Sequence, residues 1–211
     1  MPDPRAMRVI PDEIALATAR QVLLADAAAV ASLPDQLGDD FLDVVDLLVR
    51  CAGKVLVAGM GTSGATARRI AHLLSVGGTP AMFVSAADGL HGGLGAVTDS
   101  DVVIAISKGG ESDELNEFVR RARERGAVAV AMTSEAGSAL AAAADRVLVT
   151  RTDPEADYGR MIAMGSSLAN CALGDALAAV TMGVREQAWE LFAHSHPGGA
   201  VGKLLTDRAT A

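Results

Sequence analysis

Ile104-Ala105-Ile106-Ser107-Lys108-Gly109-Gly110-Glu111-Ser112-Asp113-Glu114 is the stretch on which the reading of this chain turns. Apolar and β-branched residues run into a serine, a lysine and two glycines. A helical pattern begins at once, with Leu115, Phe118 and Val119 at helical spacing. This is a strand, a small-residue loop and a helix N-terminus. The first amides of a helix lack intrahelical partners, and the helix dipole favours an anion beside them. Glycine lets backbone approach a ligand closely, and the hydroxyls of Ser107 and Ser112 add donors. Phosphate is the guest this chemistry suits. The loop matches neither G-x-x-x-x-G-K-[ST] nor G-x-G-x-x-G. The competing reading is an ordinary cap, with Ser112 as N-cap and Glu114 or Glu117 complementing the dipole.

Outward from this stretch the pattern repeats. Residues 55–58 (Val-Leu-Val-Ala) form a second apolar run, ending in Gly59-Met60-Gly61-Thr62-Ser63-Gly64. Further strands are expected at 81–84, 128–133 and 146–149, and helices at 65–76, 112–125, 138–144 and 166–182. That alternation predicts an α/β fold, a doubly wound five-stranded parallel sheet flanked by helices. Ligands of such sheets sit at the carboxyl ends of the strands, near a switch point. Two hydroxyl-rich loops converging there strengthen the phosphate reading. Before the first strand, residues 1–10 read as a loose arm. Helical patterns follow from Pro11 to about Leu33 and from about Leu37 to Cys51, with Asp35 in the N-cap region of the second. The expected division is an arm and helix over 1–40, the main domain over 41–206 and a tail over 207–211.

Composition agrees. Half of the 211 residues are hydrophobic but only 3% are aromatic, which suits a helix-covered sheet packed with small side chains. A net charge of −8 argues against nucleic-acid or anionic-membrane partners. Such a protein must hold a phosphate with local dipoles and a few placed cations. Cys51 and Cys171 have no metal-ligand spacing and read as buried small hydrophobes in a reducing compartment. No signal-peptide pattern and no uninterrupted run of 18 apolar residues is present, so a cytoplasmic protein is expected.

Few other residues can carry chemistry. His91 lies in the glycine-rich Leu90-His91-Gly92-Gly93-Leu94-Gly95, and His194 and His196 lie in Ala193-His194-Ser195-His196-Pro197-Gly198-Gly199-Ala200. No third ligand accompanies that pair, so an acid/base histidine is a better reading than a metal site. His72, on an Ala/Leu helix, reads as structural. Glu155 follows the last strand in Thr152-Asp153-Pro154-Glu155-Ala156-Asp157 and is a candidate general base. Lys108 either neutralises a bound anion or is a solvated loop lysine.

Taken together and in order, Gly59–Gly64, 90–95, 107–114, Gly174-Asp175-Ala176-Leu177-Ala178 and 195–205 (Ser-His-Pro-Gly-Gly-Ala-Val-Gly-Lys-Leu-Leu) resemble a sugar isomerase (SIS) domain. The likeness is to its arabinose 5-phosphate isomerase branch, in a short form without CBS domains, and covers roughly residues 40–206. The resemblance implies an aldose–ketose interconversion, typically of D-arabinose 5-phosphate and D-ribulose 5-phosphate, with no cofactor. It implies catalytic roles for Glu114, Glu155, His196 and His91. It implies substrate binding by Gly61, Thr62, Ser63, Ser107, Lys108, Gly109 and Ser112. It also implies a homotetramer with sites at subunit junctions. The chain departs from the branch at four places, one of them Tyr158-Gly159-Arg160-Met161 in place of a Pro/Leu-rich segment. Thr62 stands where the branch has a lysine in G-M-G-K-S-G, and Ser85 stands where the second strand usually ends in His. Lys108 and Gly109 replace the Asn and Ser of S-N-S-G-E-S. Lys108 is therefore expected to restore, from the opposite loop, the charge lost at Thr62.

Overall fold

In the computed structural model, which describes residues 9–185 and 188–195, the expected strands form. They are Val55–Gly59 (β1), Ala81–Val84 (β2), Val102–Ile106 (β3), Val128–Thr133 (β4) and Arg146–Val149 (β5). All pairs are parallel, in the order β2-β1-β3-β4-β5. β1 and β3 lie side by side with Gly59 opposite Ile106, so their carboxyl ends emerge together. The order reverses there, as a ligand crevice requires.

Side chains alternate across the sheet because successive strand residues face opposite ways. One face carries Val55, Val57, Ile104, Ile106, Val130 and Met132. It is covered by Asp12–Ala31 (α1), Asp39–Arg50 (α2), Gly61–Val76 (α3) and Gly165–Gly183 (α7). The other face carries Leu56, Ala58, Val103, Ala105, Ala129 and Ala131. There the cover is Ala86–Leu90 (α4), Asp113–Glu124 (α5) and Ala139–Ala143 (α6). Small residues on that face let α5 seat Phe118 fully buried, with Gly89 against its ring. The last described helix is Ala188–Ser195 (α8).

Several local expectations are corrected. The glycine stretch after β1 is not a loop before the helix: α3 begins at Gly61 itself, with φ +53° there. Asp35 does not cap α2. It lies in a 3-10 turn, Pro34–Gln36, and Gly38 occupies the N-cap position. His72 is exposed on α3 rather than structural filler, and both cysteines are free and only half-buried. α1 packs on α7 and on the turn Pro154–Ala156. It nevertheless leaves Ile14, Leu16, Leu23 and Leu24 exposed. Asp12–Gln36 holds a window of mean hydropathy 1.5, long and apolar enough by length and composition to cross a membrane, although Arg20 and Asp26 interrupt it.

Candidate active site

Two helix N-termini frame the β1/β3 crevice. At α3, Gly59 and Gly64 bring strand end and helix into backbone contact: a Cβ on Gly64 would stand 2.8 Å from the Gly59 carbonyl oxygen. The amides of Gly61, Thr62 and Ser63 precede the first intrahelical donor, Gly64, whose amide donates to Met60 O at 3.2 Å. At α5, Ser112 holds the N-cap position with extended backbone, but its hydroxyl makes no capping bond. The Ser112 capping bond of the competing reading is thus absent, and α5 opens uncapped. Glu117 is also diverted, pairing with Arg120 and Arg121.

The hydrogen bonds of the β3–α5 loop show which way its polar groups turn. Lys108 O accepts from Ser134 N and from the Thr133 hydroxyl, both at 2.9 Å. Gly110 O accepts from Leu140 N at 2.9 Å and from Asn116 Nδ2 at 3.0 Å. Ser107 Oγ accepts from Gly110 N at 3.2 Å, and Glu111 Oε1 is drawn off to Ala139 N at 3.1 Å. These carbonyls and the Glu111 carboxylate are spent inward. The amides of Glu111, Ser112, Asp113 and Glu114 find no acceptor among the described residues. Unpaired amides at a helix start need water or an anion. Loop and helix dipole together form an anion cradle within an acidic chain.

Glu114 sits exposed in the first turn of α5. Glu155 is exposed in the 3-10 turn after β5, whose first amide is capped by Asp153 Oδ1 at 2.8 Å. The Glu155 carboxylate forms an ion pair with Arg160, at the tip of a tight hairpin where Gly159 and Arg160 both have positive φ. His91 ends α4 beyond β2 with its ring exposed, and Ser85 is the N-cap of α4, accepting from Asp88 N at 3.2 Å. The two loops, Glu114 and Glu155 thus all follow strand carboxyl ends. His91 follows β2 through α4, and its side chain makes no hydrogen bond among the described residues. His196 lies outside the described residues. His194 lies exposed in the last turn of α8, and no group of three or more His, Cys, Asp or Glu suited to a metal occurs among the described residues.

Lys108 is not a solvated lysine. Its ammonium lies 2.5 Å from Asp157 Oδ2, and Asp157 is almost wholly buried. Burial pushes the Asp157 carboxyl up. Bonds from Lys108, Ser166 and the Met164 amide outweigh that and hold it below the ordinary carboxylate range. Sequence reasoning named Lys108 but passed over Asp157 and Ser166. The available signal was a second carboxylate two residues beyond Glu155.

Residues 48–180 match the SIS domain. The chain belongs to the SIS domain family. Arabinose 5-phosphate isomerase GutQ of Shigella flexneri is 38% identical over 196 residues, 93% of this chain and 61% of that protein. Arabinose 5-phosphate isomerase KpsF of Escherichia coli O6:H1 (strain CFT073) is 34% identical over 209 residues, 99% of this chain and 63% of that protein. This SIS chain thus spans about three fifths of the length of the curated relatives it matches. Among solved structures, an E. coli CFT073 protein in complex with arabinose 5-phosphate superimposes with a TM-score of 0.84. It is 28% identical, and the match covers 89% of this chain and 100% of that one.

Proposed function

We propose that this protein is a phosphosugar aldose–ketose isomerase that interconverts D-arabinose 5-phosphate and D-ribulose 5-phosphate. The observation that carries the reading is the pair of uncapped helix N-termini at the β1/β3 switch point, with Glu114 and Glu155 on neighbouring strand ends. The likeness to arabinose 5-phosphate isomerases over most of the chain supports this substrate. The amides of the cradle hold the phosphate, with Ser63, Ser107 and Ser112 beside them. A base, Glu155 or His196, takes the C2 proton of the open-chain aldose to give an enediol(ate) and returns it at C1. The O2 proton passes to O1, so oxidation at C2 balances reduction at C1 and no redox cofactor is consumed. The other of the two opens the ring, Glu114 orients sugar hydroxyls, and His91 is a further histidine of the site.

The remaining expectations belong to this reading: a domain over 41–206, a cytoplasmic location, and a homotetramer with His196 serving a neighbouring site. The exposed apolar residues of α1, with Tyr158, Met161 and Ile162 of the hairpin, support subunit contacts. A second reading, a sugar-phosphate sensor without turnover, is favoured by Thr62 in the place of the branch lysine. Proton NMR with D-ribulose 5-phosphate in heavy water separates them. Arabinose 5-phosphate formation with deuterium entry next to the carbonyl is the expected result. Ligand-induced stabilisation without exchange would install the sensor instead.

A further inference from the structure

Asp157 has more polar contacts than any residue assigned to the reaction, yet that scheme gives it no part. Its Oδ1 accepts from Met164 N at 2.9 Å and Ser166 N at 3.0 Å. Its Oδ2 accepts from Ser166 Oγ at 2.7 Å and Lys108 Nζ at 2.5 Å. Three of these four bonds come from the entry to α7, so the carboxylate is fixed to one rigid element and offers one remaining direction to Lys108. The Asp157 side chain is 1% exposed and that of Lys108 is 40% exposed, so the buried partner sets the position of the accessible one.

A separate contact from the same end of α7 reaches α3. Next to Ser166, the Ser167 hydroxyl lies 3.1 Å from the Thr66 hydroxyl on α3. Thr66 is one helical turn after Thr62 and shares its face. A lysine rooted at the end of β3 is therefore tied to the entry to α7, which packs on α3, the other wall of the crevice. Thr66 itself is buried, so the accessible groups here are Lys108 and Thr62.

We propose that Asp157 is a positioning residue that draws the Lys108 ammonium across the crevice to the Thr62 side, where its two remaining N–H bonds meet the bound sugar phosphate. The inference rests on the isomerase reading for its ligand. The Lys108–Asp157 pair is close to neutral as a unit, so it adds direction rather than bulk positive charge. Attraction for the phosphate dianion then comes from the amides of the cradle, and Lys108 selects how the ligand lies in it. A carboxylate held below its ordinary range keeps the lysine in place throughout the neutral region.

The test is a double-mutant cycle of Asp157→Asn and Lys108→Gln, with D-arabinose 5-phosphate and inorganic phosphate each titrated by calorimetry and urea midpoints recorded alongside. Each single variant should bind the sugar phosphate about tenfold more weakly, the size of one lost charge-assisted hydrogen bond. The double variant should bind like Lys108→Gln alone. A loss on Asp157→Asn that persists undiminished in the Lys108→Gln background would overturn the proposal, since Asp157 would then be only a brace for α7. Where Asp157→Asn fails to fold, Ser166→Ala loosens the carboxylate without discharging it, and its loss must likewise vanish in the Lys108→Gln background. The chain's lysines are Lys54, Lys108 and Lys203, so side-chain NMR of labelled lysine resolves Lys108 directly. A Lys108 signal that shifts with inorganic phosphate in the wild type but not in Asp157→Asn upholds the positioning role even if arabinose 5-phosphate proves not to bind. A signal indifferent to both ligands refutes it.

Discussion

Adding one methyl group at Gly110 should lower stability by about 2–5 kcal/mol, and the structure says where that loss arises. Gly110 has φ +70°, a conformation that costs an L-residue roughly 1–2 kcal/mol. The new Cβ would also overlap the Cβ and Oγ of Ser138 and lie 3.3 Å from Thr133 Oγ1. Ser138 Cβ cannot rotate away, because it is fixed to the backbone that starts α6. Forced overlap in a packed site adds roughly 1–3 kcal/mol. Relief by shifting the loop would break the bonds that Leu140 N and Asn116 Nδ2 make to Gly110 O.

The two contributions can be separated. Ser138→Gly removes the overlapped atoms and also the N-cap bond from Ala141 N, 3.3 Å long, at a cost of only a few tenths of a kcal/mol, since glycine is tolerated at an N-cap. Gly110→Ala/Ser138→Gly should then be less destabilised than the sum of its parts by the overlap share, about 1–3 kcal/mol. Urea denaturation with an unchanged slope is the assay. A Gly110→Ala midpoint within about 0.5 kcal/mol of wild type, or simple additivity in the cycle, would refute this account of the loop. Phosphate affinity should fall with stability in Gly110→Ala and return with it in the double variant, because the same loop presents the cradle's amides.

Acid should weaken the fold through Asp101 and Asp157. Bonds to each outweigh its burial and hold it below the ordinary carboxylate range. Their contribution is therefore complete above the unfolded value, about 4, and is lost as pH falls through the folded values. Asp101→Asn, which breaks the ion pair with Lys54 at 2.8 Å but leaves that ammonium its bond to Ala96 O, should cost about 1.5–3 kcal/mol at neutral pH and flatten the acid limb of urea midpoints against pH. Gly174→Ala should lose about 1–3 kcal/mol in thermal unfolding, because its methyl would overlap Ile70 at the contact of α7 with α3. Glu155→Gln separates its two candidate roles: as the base it should lower deuterium exchange from D-ribulose 5-phosphate by at least about a hundredfold, and as the ring opener it should leave that exchange intact while slowing turnover of arabinose 5-phosphate.

The sheet was legible because its strands are short apolar runs, each closed by glycine or polar residues, and its long helices because they keep a period of 3.6. What escaped was local. α4 and the 3-10 turn Gly93–Ala96 have too few residues for a period to show. The pattern puts the start of α3 at residue 65 and the structure puts it at Gly61, because glycine, threonine and serine have low helix propensity. Tertiary contact decides there: Gly59 and Gly64 let the helix begin directly against the strand. Ser112 stands at a helix start, as its sequence context implies, but without the capping bond expected of it. Position follows from sequence, but the rotamer of a hydroxyl does not.

The same distinction explains how much of the site could be read. Its cradle is backbone, and backbone amides are announced by glycines and by the change from strand period to helix period. Its side-chain partnerships are not announced at all. Lys108 and Asp157 are 49 residues apart, and a loop lysine and a loop aspartate are each, alone, ordinary surface residues. Only the fold, by setting β3 and the entry to α7 at one end of the sheet, makes them a pair. Thr62 acquires meaning in the same way. As a sequence difference it is a missing charge. In the structure it lies one turn before Thr66, which touches Ser167 on α7, next in sequence to the Ser166 that shares Asp157 with a lysine. If that arrangement is functional, Thr62→Lys should place a second cation beside the first and weaken the hold of Asp157 on Lys108. The variant would then gain less affinity for sugar phosphate than Thr62→Lys/Lys108→Asn, in which a single lysine stands on the opposite wall. Equal affinity in the two variants would show that Lys108 and position 62 do not address the same ligand.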